Sequence, residues 1–261
     1  MKPDAVRPDL SLVIPCYNEE EVVAYTIGKL LEAFKGANIH LEIVAVDNGS
    51  TDQTGEIINR LATTDSRIIP VQVAVNEGYG NGILRGFRSA AGQWVGSIPA
   101  DGQVDAEDVL RLFEAARVTN GLVLAKVRRR FRMDGLLRKA VSISYNFFFR
   151  ALWPGIRTLD VNGSPKIVRR EWLEVMNVQS KGWLLDPEMV VKAGYLGLRI
   201  LELNVFARMR GTGLSHVRAG TCWEFFRDLL MMRLSGKRRV IAGMNTASQP
   251  STGTRAEHLI R

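Results

Sequence analysis

Short β-branched apolar runs alternate with helical segments along the first half of the chain, and this alternation limits the fold more than any other feature. Four runs have the length and composition of buried strands: LSLVIPCY, LEIVAVDN, IIPVQVAV and GQWVGSIPA. A segment whose apolar residues have helical spacing follows each of them. Apolar strands separated by helices predict a mainly parallel sheet that is covered by helices on both faces. The predicted fold class is therefore α/β.

Polar clusters follow three of the predicted strands, at the point where each strand ends. These clusters are CYNEE, DNGSTD and PADGQ. The carboxyl ends of parallel strands meet at one edge of a sheet, and ligands of such sheets bind at that edge. We therefore expect the three clusters to form one site.

Composition limits the number of domains and the kind of partner. The chain has 261 residues, of which 46% are hydrophobic, and this suits one large α/β domain. Its net charge of +8 favours a polyanionic partner, either a phosphorylated substrate or an anionic membrane surface. The chain lacks zinc-finger and RNA-binding motifs, so a nucleic acid partner is not expected.

The second half combines basic segments with apolar helices. A long predicted helix, LLRKAVSISYNFFFRALW, has one narrow polar stripe formed by Arg138, Ser142, Asn146 and Arg150. A second apolar helix, CWEFFRDLLMMRL, lies further along the chain. Apolar helices beside arginines and lysines are typical of segments that lie in a membrane interface. The alternative is that they pack in the core or against a second copy, as in a homo-oligomer.

The sequence also predicts a location. Its first residues lack a secretory signal, and no stretch reaches the roughly 18 apolar residues that are needed to span a bilayer. We expect a cytoplasmic protein that lies peripherally on the cytosolic face of a membrane. Residues 236–261 are basic and rich in small polar residues, and they are expected to form a disordered tail.

Five segments, in order along the chain, resemble the motifs of family-2 glycosyltransferases of the GT-A fold. They are VIPCYNEE, VAVDNGSTDQT, NEGYGNGILRGF, PADGQ and RMRGTGLSHV. Within the family the chain is most similar to the dolichol-phosphate mannose synthase branch, whose members transfer a sugar to a polyprenyl phosphate. It departs from the family pattern at three positions, namely Asn48, Pro99 and His216. The resemblance implies a single GT-A domain over 1–235.

The resemblance implies a GDP- or UDP-sugar donor, bound mainly by residues 10–125. The positions that match the family's donor site are Pro15, Tyr17, Glu19, Asp47, Gly80 and Asp101. Three of these residues also have an alternative role, although the family pattern favours donor binding. Glu19 has the position of an acid that favours a helix start, Asp47 that of a turn cap, and Gly80 that of a tight turn.

A leaving diphosphate needs positive charge, and the resemblance implies that Mg²⁺ or Mn²⁺ provides it. Such ions bind through one or two protein oxygens together with substrate phosphates. Asp101 and the amide oxygen of Gln103 are the expected metal ligands. Pro99 stands where the family pattern has a carboxylate, so the predicted metal site is a variant with fewer protein ligands.

An acceptor phosphate is already ionised and needs no general base, but it needs cations to hold it. The expected phosphate-binding residues lie within residues 126–235: Lys126, Arg128, Arg132, Arg138, Arg210, Ser215 and His216. Asp101, Arg138 and Arg210 are expected to be catalytic. The alternative for the basic run is a solvated surface.

The sequence therefore predicts an inverting glycosyltransferase that moves a sugar from a nucleotide sugar to a polyprenyl (dolichyl-type) phosphate. A second hypothesis is transfer to a saccharide hydroxyl, with Asp186 or Glu188 as the general base. A third is a catalytically silent scaffold that binds a membrane or a protein partner, and the three departures from the family pattern favour it.

Overall fold

A computed structural model of the chain describes residues 7–132, 136–207, 219–235 and 244. Within these residues the central sheet has seven strands in the order β3-β2-β1-β4-β6-β5-β7. The strands are β1 Leu10–Cys16, β2 Leu41–Asn48, β3 Ile68–Val73, β4 Trp94–Ser97, β5 Val123–Arg132, β6 Lys166–Arg169 and β7 Arg199–Ala207. All neighbouring pairs are parallel except those that β6 makes with β4 and β5.

Helices cover the sheet on both faces. In the described residues they are α1 Val23–Lys35, α2 Thr54–Thr64, α3 Tyr79–Ser89, α4 Ala106–Arg117, α5 Leu136–Leu152, α6 Arg170–Met176, α7 Leu185–Tyr195 and α8 Ala219–Leu234. The predicted α/β class and the predicted strands are confirmed. Among the described helices, none has the length and apolar character that crossing a bilayer requires.

The side chains of β1 show how the sheet divides the core. Leu12 and Ile14 pack with α1 and α4 on one face, whereas Val13 packs on the other with Ile83 and Phe87 of α3. All the β1 residues except Pro15 are buried. A strand that is buried on both faces needs the continuous apolar sequence that predicted it.

Glycines bring α3 close to its neighbours. A Cβ atom on Gly86 would overlap Val13 of β1, and one on Gly82 would lie 3.0 Å from the Asn48 side chain. Gly80 faces a loop instead, because a Cβ there would overlap the Ser180 carbonyl oxygen and lie 2.7 Å from that of Gly182. The Gly-rich segment is therefore a packing surface for the loop 180–182 that precedes α7.

Several predictions concern residues outside the described part of the chain. Apart from Met244, the expected tail 236–261 is not described. Arg210, Ser215 and His216 also lie outside the described residues, and the side chains of Arg132 and Arg138 are not described.

The substitution Gly80→Ala is expected to lower the free energy of unfolding by about 2 kcal/mol, because the new methyl group displaces the loop 180–182. Urea denaturation measures the change. Gly28 of α1 is the matched control, since a Cβ there meets nothing within 4 Å. Gly28→Ala is expected to stabilise the protein by about 0.5 kcal/mol. Equal effects of the two substitutions would contradict the packing role of Gly80.

Candidate active site

A cavity of about 500 Å³ opens at the edge of the sheet where β1, β2 and β4 end. Residues of all three predicted clusters line it. They include Pro15, Tyr17, Glu19, Asn48, Asp101 and Gln103. The expectation that the clusters meet is therefore confirmed.

Hydrogen bonds join the loops after β1 and β2. The Thr51 amide donates to Asn18 Oδ1 at 2.9 Å, and the Glu19 amide donates to Thr54 Oγ1 at 2.9 Å. Asn18 has a positive φ of 54°, a conformation that asparagine tolerates better than most residues. The two loops form one wall of the cavity.

Asp47 and Asn48 have different roles from those that the resemblance suggests. Asp47 is buried outside the cavity lining, and its Oδ1 accepts the Ser50 amide at 2.9 Å. It is a turn cap, which was the alternative for this residue. Asn48 lines the cavity instead, and its Oδ1 is buried without a hydrogen bond to any described residue. A ligand that donates a hydrogen bond would satisfy this oxygen.

Gly80 also lies outside the cavity lining. Its missing side chain makes room for the backbone of the loop 180–182, and the Asn81 amide donates to the Lys181 carbonyl at 2.8 Å. The structure therefore gives Gly80 a packing role, and its predicted contact with the donor stays a prediction. The neighbouring Gly78 and Tyr79 do line the cavity.

The turn after β4 places Asp101 and Gln103 together at the cavity wall. Asp101 Oδ1 accepts the Gln103 amide at 3.2 Å, and the Ala100 carbonyl accepts a hydrogen bond from Thr26 at 2.7 Å. Within the described residues, no three His, Cys, Asp or Glu side chains are grouped to hold a metal ion. One carboxylate and one amide oxygen nevertheless fit a divalent cation whose other ligands are water and phosphate oxygens.

Arg129 is a cavity residue that sequence reasoning did not select from its basic run. Its Nε and Nη2 atoms donate to the two carboxylate oxygens of Asp160 at 2.9 and 3.0 Å. Burial acts to raise the pKa of Asp160, but Arg129 holds this pKa well below its usual range. The alternation of side chains along β5 could have separated these residues. Arg129 lies on the opposite side of the strand from Lys126 and Arg128.

Lys126 does not fit its predicted role in acceptor binding. Its side chain is fully buried outside the cavity lining, and its ammonium group donates to the Asp160 carbonyl and to Glu202 Oε1, the latter at 3.1 Å. Burial lowers the pKa of Lys126, and the acids around it oppose this shift. Arg128 is half-buried and also lies outside the lining. Lys126 therefore stabilises the fold beneath the site.

Helices α5 and α7 add two more polar groups to the cavity. Ser142 comes from the polar stripe of α5, and Asp186 comes from the first turn of α7. Asp186 accepts a hydrogen bond from the buried Lys166 at 2.6 Å. Glu188 lies away from the cavity, since it binds Lys192 at 2.7 Å and accepts the amides of the preceding loop. Of the two acids that were considered as a general base, only Asp186 is at the site.

Aromatic side chains form the remaining wall. Trp183 stacks on Tyr79 with ring centroids 4.9 Å apart, and it contacts Phe225 of α8 edge-on at 6.0 Å. Phe225 in turn packs against Tyr145 of α5. All four residues line the cavity, so its apolar side leads to α5 and α8.

The order of the strands arranges the cavity residues in a line. Asn48 ends β2, Glu19 follows β1, and Asp101 follows β4. Lys166 with its partner Asp186 comes next at β6, and Arg129 of β5 is last. The site thus has hydrogen-bonding groups at one end, the carboxylates of Asp101 and Asp186 in the middle, and Arg129, paired with Asp160, at the other end. An extended ligand with a base, a diphosphate and a sugar suits this order.

Comparison with known proteins identifies the family. The glycosyl transferase family 2 model matches residues 11–176. An undecaprenyl-phosphate 4-deoxy-4-formamido-L-arabinose transferase from Pectobacterium carotovorum is 35% identical over 144 residues, which are 54% of this chain and 43% of the relative. The enzyme of the same name from Aeromonas hydrophila is 33% identical over 207 residues, 79% of this chain and 62% of the relative. The chain thus spans less than two thirds of either relative.

Solved structures agree with the fold. Glucosyl-3-phosphoglycerate synthase from Mycobacterium tuberculosis, crystallised with Mn²⁺, UDP and glucosyl-3-phosphoglycerate, matches with a TM-score of 0.65 at 19% identity. The match covers 94% of this chain and 82% of that one. At this identity the likeness concerns the fold alone, and it confirms the predicted GT-A architecture.

The substitution Arg129→Met is expected to lower the free energy of unfolding at pH 7 by about 3 kcal/mol, because it leaves the Asp160 carboxylate buried without its partner. The pKa of Asp160 lies below its unfolded value in the native protein. The ion pair therefore stabilises the fold above about pH 4, and its contribution falls as the pH drops through the native pKa.

Urea denaturation of the native protein and the variant at pH 7 and at pH 4 measures the effect. The difference in stability is expected to be smaller at pH 4, where protonation relieves the stranded carboxylate. Arg128→Met is the control, with an expected change within about 0.5 kcal/mol. A pH-independent difference would contradict the assignment of Asp160 as the partner that matters.

Proposed function

Because the chain belongs to glycosyl transferase family 2, we propose that it transfers a sugar from a nucleotide sugar to a polyprenyl phosphate at a membrane surface. The observation that carries this proposal is a single cavity with hydrogen-bonding loops at one end and Arg129 at the other. A nucleotide sugar suits the first end and the middle. An acceptor phosphate suits the end with Arg129, whose guanidinium can donate further hydrogen bonds.

Donor binding is assigned to the loops after β1, β2 and β4. Asn48 and Glu19 provide oxygen atoms that can accept hydrogen bonds from a base and a ribose, and Pro15 and Tyr17 lie beside them. The structural relative that was crystallised with UDP supports a UDP-sugar as the first donor to test. A GDP-sugar fits the same general chemistry.

A divalent cation is assigned to Asp101 and Gln103. The Mn²⁺ in the structural relative supports the same kind of ion here. When bound, Mg²⁺ or Mn²⁺ neutralises charge on the departing diphosphate. Asp101 would hold the ion, and Arg129, paired with Asp160, lies at the acceptor side of the cavity.

The acceptor is assigned to a polyprenyl phosphate because the named relatives are undecaprenyl-phosphate sugar transferases. Arg129 is the described cation that faces the cavity, and its rigid pairing with Asp160 holds the guanidinium in place. Arg132, Arg138, Arg210, Ser215 and His216 remain proposed phosphate ligands from the sequence.

The proposed reaction is an in-line displacement. An oxygen of the acceptor phosphate attacks the anomeric carbon, a new carbon–oxygen bond forms, and the bond to the diphosphate oxygen breaks. The configuration at the anomeric carbon inverts. No proton has to leave the attacking phosphate oxygen at neutral pH, so the residues need only position both substrates and stabilise charge.

Membrane contact is assigned to α5 and α8, which pack against each other through Tyr145, Phe225 and Phe226. Their outer surfaces carry exposed large apolar side chains: Ile143, Phe147, Trp223, Leu230, Met231 and Leu234. An exposed apolar surface of this kind beside basic residues fits insertion into the interface of an anionic membrane. The cavity opens toward the same helices, so a lipid phosphate can reach it from the membrane. We assign this contact to the cytosolic face.

Transfer to a saccharide hydroxyl is the second candidate. The position of the Asp186 carboxylate in the cavity favours it, because a hydroxyl acceptor needs a general base. The position of Arg129 favours the phosphate acceptor, which we therefore place first.

The substitution Asp101→Asn is expected to weaken Mn²⁺-dependent binding of UDP by about tenfold or more, because it removes the carboxylate ligand of the ion. Calorimetric titration with UDP, with and without Mn²⁺, measures the effect. Pro99→Asp is the companion variant, and it is expected to bind equally well or more tightly. Binding that is unaffected by Asp101→Asn would reject the metal role, and no binding of UDP or GDP to the native protein would favour a silent scaffold.

The substitution Arg138→Ala is expected to raise the apparent KM for a polyprenyl phosphate by about tenfold and to leave that for the nucleotide sugar within about twofold. Labelled nucleotide sugar is incubated with polyprenyl phosphate or with an oligosaccharide, and the lipid-soluble and water-soluble products are counted. Transfer to the oligosaccharide alone would contradict the proposed acceptor. A larger effect on the KM of the nucleotide sugar would reject the role of Arg138.

A further inference from the structure

Asp186 has an unusual position for an acid that begins a helix. It is the second residue of α7, it is only 6% exposed, and it lines the cavity. An acid at a helix start normally points into solvent and interacts with the helix dipole. Burying a carboxylate is costly unless it is paired, so its place at the cavity wall requires a partner.

That partner is Lys166, which is fully buried. Its ammonium group donates to Asp186 Oδ1 at 2.6 Å and to the Gly163 carbonyl at 2.9 Å. Burial lowers the pKa of Lys166 to about 8, although Asp186 acts in the opposite direction. A carboxylate has about four lone-pair sites, so Asp186 can accept further hydrogen bonds from a ligand in the cavity.

The sheet order places this pair directly beyond the diphosphate position. Lys166 begins β6 and lies opposite Ser97, the last residue of β4. Asp101 follows the end of β4. Neighbouring strands lie about 4.8 Å apart, so the strand that carries Lys166 is one strand spacing away from the end of β4. A donor whose diphosphate lies at Asp101 would reach Asp186 with the group that is attached beyond its diphosphate. In a nucleotide sugar, that group is the sugar.

The negative charge of Asp186 favours contact with the sugar of the donor over contact with its diphosphate. A carboxylate repels phosphate oxygens and accepts hydrogen bonds from hydroxyl groups. Ser164 and Asn162 line the cavity beside it, and the buried Asn162 Oδ1 makes no hydrogen bond to the part of the chain that is described. Asp186 and the Ser164 hydroxyl oxygen offer acceptors to a ligand at this position, which suits a polyhydroxyl ring.

We propose that Asp186, held by Lys166, binds hydroxyl groups of the sugar that is transferred and thereby selects and orients it. This inference rests on the proposed function. It assigns the acid a role before any acceptor is present. A general base, in contrast, would act only on the acceptor and would leave donor binding unchanged.

The test compares UDP with a UDP-sugar in the presence of Mn²⁺. UDP-glucose, UDP-galactose and GDP-mannose are first titrated against the native enzyme, and the sugar nucleotide with the lowest Kd is used together with its own nucleoside diphosphate. Asp186→Asn is expected to raise the Kd of the sugar nucleotide by about tenfold, as for a lost hydrogen bond to a charged group. The Kd of the nucleoside diphosphate is expected to change less than twofold.

Glu188→Gln is the matched control. Glu188 is equally buried, lies on the same helix and is paired with Lys192 in the same way, but it does not line the cavity. The Kd of the sugar nucleotide divided by the Kd of its nucleoside diphosphate is the ratio of interest. In Glu188→Gln this ratio is expected to equal that of the native protein. The ratio also separates a loss of sugar contacts from a general loss of folded protein, which affects both ligands equally.

Two outcomes would overturn the proposal. In one, Asp186→Asn leaves the ratio unchanged, whether it affects turnover or not. In the other, the native enzyme binds the deoxy-sugar analogues of the chosen donor as tightly as the donor itself, a measurement that needs no variant. Tight binding of UDP or GDP in the same titrations would support a nucleotide-sugar donor even if Asp186 does not bind the sugar. If neither UDP nor GDP binds, both the proposed donor and the proposed role of Asp186 are rejected.

Discussion

The cavity exists because the carboxyl ends of β2, β1 and β4 share one edge of the sheet with the amino end of the antiparallel strand β6. The parallel strands contribute the loops that follow their carboxyl ends. The reversed strand also brings Lys166, whose ammonium group lies beneath the cavity and holds Asp186 at its wall. The same arrangement places Arg129 of β5 beyond them. The sequence of chemical groups along the cavity therefore follows from the order and direction of the strands.

Buried charges make this order rigid. Arg129 is fixed by both oxygens of Asp160, and Lys126 is fixed by Glu202 and by backbone carbonyls. Each of these side chains would be costly to bury alone, so each depends on its acidic partner. They hold the end of the cavity that contains Arg129 in one geometry before any ligand arrives. Polar groups that are fixed in advance need not reorganise when they bind a charged ligand.

Sequence patterns predicted the α/β class, the strands and the meeting of the three polar clusters, because apolar periodicity and strand ends are local properties. They failed where a contact depends on residues distant in the chain. The loop 180–182 fills the space beside Gly80, and Glu202 captures Lys126. Neither partner can be identified from the motif that contains the glycine or the lysine. Asp47 and Asn48 show a different limit, since a single step along a strand decides which side chain faces the cavity.

The measurement that tests this account most directly is the crystal structure of the protein with Mn²⁺ and a non-hydrolysable UDP-sugar. The account predicts the base and ribose near Asn48 and Glu19, the diphosphate at Asp101, and the sugar against Asp186, with Arg129 left open to an acceptor. A nucleotide bound in the reverse direction, with its base near Arg129, would contradict the assignment. So would a nucleotide bound outside the cavity.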